Sequence, residues 1–506
     1  MISFIQSSLQ CPGCGCAELR KCIRQVTVTV CKLEQVSCNV GALAWKRCPS
    51  LNSVLGDPQW FVLVVVLHQI RRLQQISVLL SMGQILQPAI ELAERGFPVA
   101  EITAYHWKRD VHVLQAPGNE HGKDLLIHGQ APLHGQVFCN PFLANTFKEI
   151  ARCGKKGFYE GTIAAAVVET VQRHGGVMDL EDLKSHVTDE VKPIFTNYKG
   201  VNVWEMPPNG QGITVLMALN ILENFNIKEM GHNTADYLHV LTEALKLSFS
   251  DAFWFCADPQ KVPVPTKECL SKMYAKGRSE LIDLQRANKD YKPGNSLPAG
   301  SDTVYFTVVD AQGSACSFIN SNYKGFGTGL VPDGCGFALQ NRGAGFSLFP
   351  GHPNCLAPGK RPYHTIIPAL ATAADTEDLL CSFGVMGGLM QPQGHVQVLL
   401  NMLEFGMDPQ QALDASRFSV DYSREESKWH LSLEDGIPQA VAEDLRARGH
   451  CSHWPVSGHD RSLFGRGQII TKGDWWKSSG SLSSKSFQNI LWAGSDPRGD
   501  GCAMGY

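Results

Sequence analysis

From Leu79 onward, apolar positions recur first at helical spacing and later at every second residue. Residues 87–96 (Gln-Pro-Ala-Ile-Glu-Leu-Ala-Glu-Arg-Gly) read as a helix, with Pro in its first turn and Gly just past its end. Phe97-Pro98-Val99 follows as a stop and restart. Residues 141–153 and 159–174 read as two amphipathic helices, the second closed by Gly175-Gly176. Asp179-Leu180-Glu181-Asp182-Leu183 opens a short helix whose acidic residues offset the exposed N–H groups of the first turn. Val201-Asn202-Val203-Trp204-Glu205-Met206 is strand-like, and the Pro- and Gly-rich stretch 207–212 breaks it. Residues 213–226 and 234–254 predict long helices, and a polar, Lys-rich loop covers about 259–300.

After Ser301 the period becomes two. Val304, Phe306 and Val308 line one face of the predicted strand; Thr303, Tyr305, Thr307 and Val309 line the other. Asp310-Ala311-Gln312-Gly313 is a turn, and residues 314–320 form the returning strand of a β-hairpin. A Gly-rich loop occupies 325–336, and a strand–turn–strand pair spans about 365–386. Gly387-Gly388 then precedes a helix over about 391–405. Helices grouped apart from antiparallel strands predict a layered α/β sandwich, not a βαβ array. No repeat with a period of about 20–50 residues is present.

Composition sharpens this picture in two places. The 506 residues allow two to four domains of roughly 100–200 residues, or one large layered domain. A hydrophobic fraction of 43% with 18% charged residues excludes wholesale disorder. A net charge of −3 leaves no basic footprint for nucleic acid. The composition breaks near residue 78: residues 1–78 hold eight Lys/Arg and three Asp/Glu, a net +5, so the remainder carries −8. Seven of the 17 cysteines fall in the first 48 residues. Cys11 and Cys14 have metal-ligand spacing, but no second pair matches them, so no metal or other cofactor is expected. The other ten cysteines are scattered, as buried free thiols in a reducing compartment are. There is no Asn-x-Ser/Thr sequon and no signal-peptide pattern. The longest apolar run, residues 61–67, is far below the roughly 18 residues that span a bilayer. A cytoplasmic protein with neither membrane nor nucleic-acid partner is therefore expected.

Most catalytic signatures are missing. Gly-x-Ser-x-Gly, the phosphate-loop pattern and His-Glu-x-x-His do not occur. Arg498-Gly499-Asp500 matches an integrin tripeptide, but three residues recur easily by chance. One constellation remains. Asp302-Thr303 stands where a polar loop meets a strand that starts with a hydroxyl residue. An arbitrary threonine there is simply a β-branched strand starter. If the 302–303 bond were cut, however, Thr303 would expose its own α-amine. With a reference pKa of about 7.7–8.0, that amine can act as base for the adjacent hydroxyl. Gly387-Gly388, at a strand-to-helix passage, can aim backbone N–H groups at an oxyanion.

Several stretches decide between these readings. They include Pro88-Ala89-Ile90-Glu91-Leu92-Ala93-Glu94-Arg95-Gly96-Phe97, Gly157-Phe158-Tyr159-Glu160-Gly161, Met206-Pro207-Pro208-Asn209-Gly210-Gln211-Gly212 and Glu243-Ala244-Leu245-Lys246. The most specific are Asp302-Thr303-Val304-Tyr305-Phe306-Thr307-Val308-Val309-Asp310, Pro358-Gly359-Lys360-Arg361-Pro362 and Gly387-Gly388. From about residue 81 to 506 the chain resembles the gamma-glutamyltransferase (glutathione hydrolase) family of self-cleaving N-terminal nucleophile hydrolases. Gln340-Asn341-Arg342-Gly343-Ala344 and Tyr363-His364-Thr365-Ile366-Ile367-Pro368 place it nearer the glutathione hydrolase-like, cephalosporin-acylase-like branch.

The resemblance implies a four-layer αββα sandwich made as one proenzyme. Residues 79–302 would be the large piece and residues 303–506 the small one, with 1–78 an atypical Cys-rich segment. It implies Thr303 as nucleophile, Ser321 as the assisting hydroxyl, and Gly387 and Gly388 as oxyanion donors. Asn320, Tyr323, Arg342, His364 and Thr365 fall on substrate-contact positions. Arg342, Gly345, His364 and Thr365 stand where the cell-surface transpeptidases carry an acidic glutamyl-amine contact and a serine pair. The family's Gly-Gly-Asn-Ala helix and its carboxylate-gripping arginine are not found in residues 1–78. The implied partners are a small amide or gamma-glutamyl substrate and the chain's own cleaved fragments, with a homodimer as an open further assembly. A catalytically silent homologue and an acylase for non-glutamyl amides stand as alternatives.

Overall fold

The structure, a computed structural model, describes residues 81–288, 291, 302–310, 313–423, 425–477 and 490–505. The atypical segment 1–78, with Cys11, Cys14 and the apolar run 61–67, lies outside the described residues. Seven helices matter to the site: α1 (Met82–Arg95), α2 (Glu101–Leu114), α3 (Pro141–Cys153), α4 (Thr162–Arg173), α5 (Gly212–Leu222), α6 (Ala235–Phe255) and α7 (Met390–Leu403). Eight strands do as well: β1 (Ile194–Tyr198), β2 (Val201–Glu205), β3 (Asp302–Val309), β4 (Ala315–Tyr323), β5 (Ala369–Ala373), β6 (Leu379–Met386), β7 (Arg466–Lys472) and β8 (Leu491–Ser495).

Six of the strands form one antiparallel sheet in the order β8-β7-β6-β5-β2-β1. β3 and β4 pair as the expected hairpin and form a separate two-stranded ribbon. The two faces of β3 follow the period-two reading. Tyr305 is buried with Ile319 and Met386, against the sheet. Gly384 of β6 makes room for it: a Cβ there would lie 2.4 Å from the Tyr305 ring. The Thr307 hydroxyl bonds the Ser382 hydroxyl of β6. On the opposite face Val304 and Phe306 pack with buried Phe318 against α1, α3 and α4.

The far face of the six-stranded sheet is covered by α5 and α7, and α6 packs over α5. Every residue of α5 is buried, so it has no polar face and sits inside the molecule. In α4, Ile163, Ala164, Val167, Val168 and Val171 are buried at helical spacing and turn one stripe inward. The order of layers is therefore helices, sheet, ribbon, helices. A further three-stranded sheet, Phe418–Ser423, Lys428–Glu434 and Cys451–Val456, contributes to the larger core.

Some elements differ from expectation. α1 starts five residues early, because Ser81 and Gln84 form a capping box; Pro88 then lies inside the helix. The helix expected over 159–174 is two helices, Lys155–Tyr159 and α4, parted at Gly161 with φ +107°. The polar stretch after 259 is not all loop: it contains helices Thr266–Cys269 and Lys272–Ser279, the second capped by Ser271. The ten cysteines among the described residues are free, but only four are buried.

Candidate active site

The ribbon builds the centre of the site. Along the β3–β4 ladder, Asp302 pairs with Tyr323 and Thr303 with Ser321, so Asn322 is the extra residue of a bulge. The bulge forces Tyr323 to φ +78°, a conformation an aromatic L-residue rarely takes. Backbone strain thus sits directly across the ladder from the Asp302–Thr303 bond. Thr303 is only 1% exposed. Its hydroxyl donates to Ser321 Oγ over 3.1 Å. The Tyr323 N–H donates to the same oxygen over 2.9 Å.

Behind this hydroxyl pair lies Arg342, also 1% exposed. Its Nη2 donates to Ser321 Oγ at 3.1 Å and its Nη1 to Thr365 Oγ1 at 2.8 Å. Its guanidinium lies 4.6 Å from the centre of the Tyr323 ring. His364 is buried next to it, and burial, then the Arg342 charge, holds its imidazole well below the usual range. Its Nδ1 accepts from the Ile366 N–H, which fixes the ring.

Gly387 and Gly388 join β6 to α7 with φ +137° and +59°, conformations that only glycine takes without strain. Close packing adds a second requirement at Gly387, where a Cβ would sit 3.1 Å from the Gly465 backbone. The carbonyls of both residues accept from the first turn of α7, through Met390 N and Gln391 N. Gln211 braces the passage from the other side. Its amide donates to the carbonyls of Thr365 (2.6 Å) and Gly388 (2.9 Å), and its oxygen accepts from the Tyr363 hydroxyl (3.0 Å).

A cavity of about 970 Å³ opens onto this centre. Thr303, Asn320, Ser321 and Gly387 lie on its wall, so four sequence-predicted residues meet at one surface. Tyr323, Arg342, His364 and Thr365 do not line it; they stand behind the hydroxyl pair. The rest of the wall mixes apolar rings (Trp107, Phe138, Phe326) with His106, Arg109 and Arg466. Among the described residues no group of three or more His, Cys, Asp or Glu side chains is placed to hold a metal ion. Among them, too, no helix is long and apolar enough to cross a membrane.

A buried threonine hydroxyl at a strand start, a partner hydroxyl and Gly387 on one wall, with Gly388 next in the chain but off that wall, are a distinctive set. A family model described as gamma-glutamyltranspeptidase matches residues 71–506, with all of these residues inside the match. The chain belongs to the gamma-glutamyltranspeptidase family. It is 35% identical over 427 residues to the glutathione hydrolase-like YwrD proenzyme of Bacillus subtilis, covering 84% of this chain and 77% of the relative. It is 30% identical over 408 residues to the acylase ACY 1 proenzyme of a Pseudomonas strain, covering 79% of this chain and 71% of that protein. The fold matches the crystal structure of cephalosporin acylase from Bacillus halodurans with a TM-score of 0.76 at 35% identity, over 89% of this chain and 81% of that one. In this member of the gamma-glutamyltranspeptidase family the match begins at residue 71, inside the segment that composition set apart.

Two features escaped sequence reasoning. Gln211 lies within a stretch that carried the resemblance, but nothing in its spacing marks it as the brace of Gly388. Arg466, on the cavity wall, had one available signal. It follows Gly465, and in the sheet it pairs with Met386, the residue before Gly387.

Proposed function

We propose that this chain is an N-terminal nucleophile amidohydrolase of αββα layering that cuts itself between Asp302 and Thr303. One observation carries the reading: the Thr303 hydroxyl is held by Ser321 at the start of β3, on the same cavity wall as Gly387. In maturation, Thr303 Oγ attacks the Asp302 carbonyl carbon, and the C–N bond breaks as an ester forms. Water cleaves the ester, leaving a carboxylate on Asp302 and a free amine on Thr303. In turnover that amine takes the Oγ proton while Oγ attacks the substrate carbonyl. The N–H groups of Gly387 and Gly388 stabilise the oxyanion; losing one such donor typically costs about 10²–10³ in rate. The leaving amine departs with a proton, and water releases the acyl group. Relatives described as proenzymes support the maturation step.

The purified protein is expected as two pieces of 302 and 204 residues (506 − 302). Denaturing gels with N-terminal sequencing read this directly. Thr303→Ala stays as one chain and Thr303→Ser cuts slowly; a cut at another bond, or an uncut wild type after long incubation, removes the reading.

For the acyl donor we propose an amide whose acyl group does not depend on a glutamyl amine. Arg342 and Gly345 occupy the positions of acidic amine contacts in the resemblance, and acylases stand among the relatives. Steady-state kinetics on a glutaryl anilide and a gamma-glutamyl anilide decide it. The glutaryl compound is expected to show the higher kcat/KM, and the difference to lie mostly in KM. Rapid glutathione turnover at micromolar KM would restore the glutathione hydrolase reading, and a cut enzyme inert on every donor would favour a silent homologue.

A further inference from the structure

Three donors converge on one oxygen. Ser321 Oγ receives the Thr303 hydroxyl (3.1 Å), the Tyr323 N–H (2.9 Å) and Arg342 Nη2 (3.1 Å). A hydroxyl oxygen has two lone pairs, so three donors cannot all be served at full strength. The peptide N–H is fixed by the β4 backbone. The guanidinium is fixed too, by Thr365 Oγ1 at 2.8 Å and by the Tyr323 ring beneath it. Only the Thr303 hydroxyl is free to rotate, so it is the donor that yields.

We propose that Arg342 is a positioning residue for the nucleophile: by filling a lone pair of Ser321, it turns the Ser321 proton toward Thr303 Oγ as that atom gives up its own. The inference rests on Thr303 being the nucleophile. The Ser321 proton is not transferred; in self-cleavage the Thr303 Oγ proton ends on the Thr303 nitrogen as the Asp302–Thr303 C–N bond breaks, in turnover it goes to the freed α-amine, and in both steps the Ser321 O–H donates to Thr303 Oγ as that oxygen attacks. Arg342 stays charged at every working pH, so the bias does not switch off. Its charge, one hydroxyl away, also favours negative charge on Thr303 Oγ. Arg342 stands behind the hydroxyl pair and off the cavity wall, which suits this role and not direct contact with substrate.

A double-mutant cycle on self-cleavage tests this. Ser321→Ala and Arg342→Met are each expected to slow cleavage by about 10- to 100-fold, the range of one charge-assisted hydrogen bond. If Arg342 acts through Ser321, the double variant is within about threefold of the slower single one. The pH of half-maximal cleavage rises in Arg342→Met, a shift that mere loosening of the fold does not produce. Arg342→Lys restores part of the rate. Thr365→Val, which frees the other end of the guanidinium with little change in volume, gives a smaller loss in the same direction. Should Arg342→Met fail to melt cooperatively, Arg342→Lys and Thr365→Val complete the cycle with Ser321→Ala. Additive losses, or an unmoved pH profile, overturn the role of Arg342 while leaving Thr303 as nucleophile. An uncut wild type sinks both.

Discussion

Tyr305 and Gly384 show how single residues set the height of the ribbon. The Tyr305 ring fills the space a side chain at 384 would need, with 2.4 Å separating the ring from a Cβ there. Gly384→Ala is therefore an overpacking change, expected to cost about 1–3 kcal/mol. Because Tyr305 is two residues from Thr303 on the same face of β3, the displacement reaches the hydroxyl pair. Chemical denaturation and the self-cleavage rate should both fall for Gly384→Ala, and an unchanged pair of values would refute the coupling. At this scale the sequence was half legible. Alternation alone put Thr303, Tyr305 and Thr307 on one face. It said nothing of Thr303 as a nucleophile, because a strand-starting threonine has the same pattern whatever its chemistry; the resemblance supplied that. Arg342 was placed as a substrate contact, and its burial behind Ser321 depends on a loop path that no local pattern records.

At the scale of elements, α2 is the helix that the sequence did not announce. Its N-cap position is Ala100, whose side chain makes no capping bond. The cap comes instead from Asp500, whose carboxylate accepts from Ile102 N (3.1 Å), Thr103 N (2.7 Å) and the Thr103 hydroxyl (2.8 Å). A start signal about 400 residues away cannot be seen in an 18-residue window. The same contacts explain the Arg-Gly-Asp tripeptide. Asp500 caps α2, and buried Arg498 donates to Glu434 and Asp496, so both charges serve the fold. Asp500→Ala is expected to cost about 1 kcal/mol, as other cap losses do. Amide exchange at residues 101–104 should quicken while α4 is unaffected. Asp500→Asn, which keeps an acceptor oxygen, should restore part of the protection. Equal protection in Asp500→Ala would show that the cap does not hold the helix. His106, Trp107 and Arg109 ride on α2, so this loss would also reshape one cavity wall.

Across the whole molecule, buried neutral histidines tie stability to pH. Lys246, paired with Glu243 at 2.8 Å, faces His450 Nδ1. His450 Nε2 meets His239 Nδ1 at 2.7 Å, and His239 Nε2 meets the Asp283 carbonyl at 2.7 Å. These neighbours fix both tautomers: His239 donates to the carbonyl, so it accepts from His450, whose Nδ1 must face the lysine as an acceptor. A second proton on His450 would set N–H against ammonium. Burial, then Lys246, His239 and Arg448, pushes the His450 pKa down to about 2. His364 is lowered in the same way by burial and Arg342. The sign follows from linkage. Unfolded histidine titrates near pH 6.5, so below that the unfolded chain binds protons the folded chain refuses. Stability is full above about pH 6.5 and is lost as pH falls toward the folded values. In the His395–Glu205 pair, burial raises the carboxyl pKa and lowers the imidazole pKa to about 3. The pair adds nothing to this slope between about pH 4.3 and 6.5, where folded and unfolded pairs each hold one proton, and opposes it above that range. His450, whose folded value lies far below this window, should then cost roughly 1–1.5 kcal/mol at pH 5.5 relative to pH 7.5, and His364 should act in the same direction. Urea midpoints at the two pH values measure the total. His450→Gln, although less stable at pH 7.5, should lose less on acidification than the wild type. Equal losses in the two proteins would mean that His450 is not the proton acceptor, and a wild type equally stable at both pH values would refute the buried-histidine account.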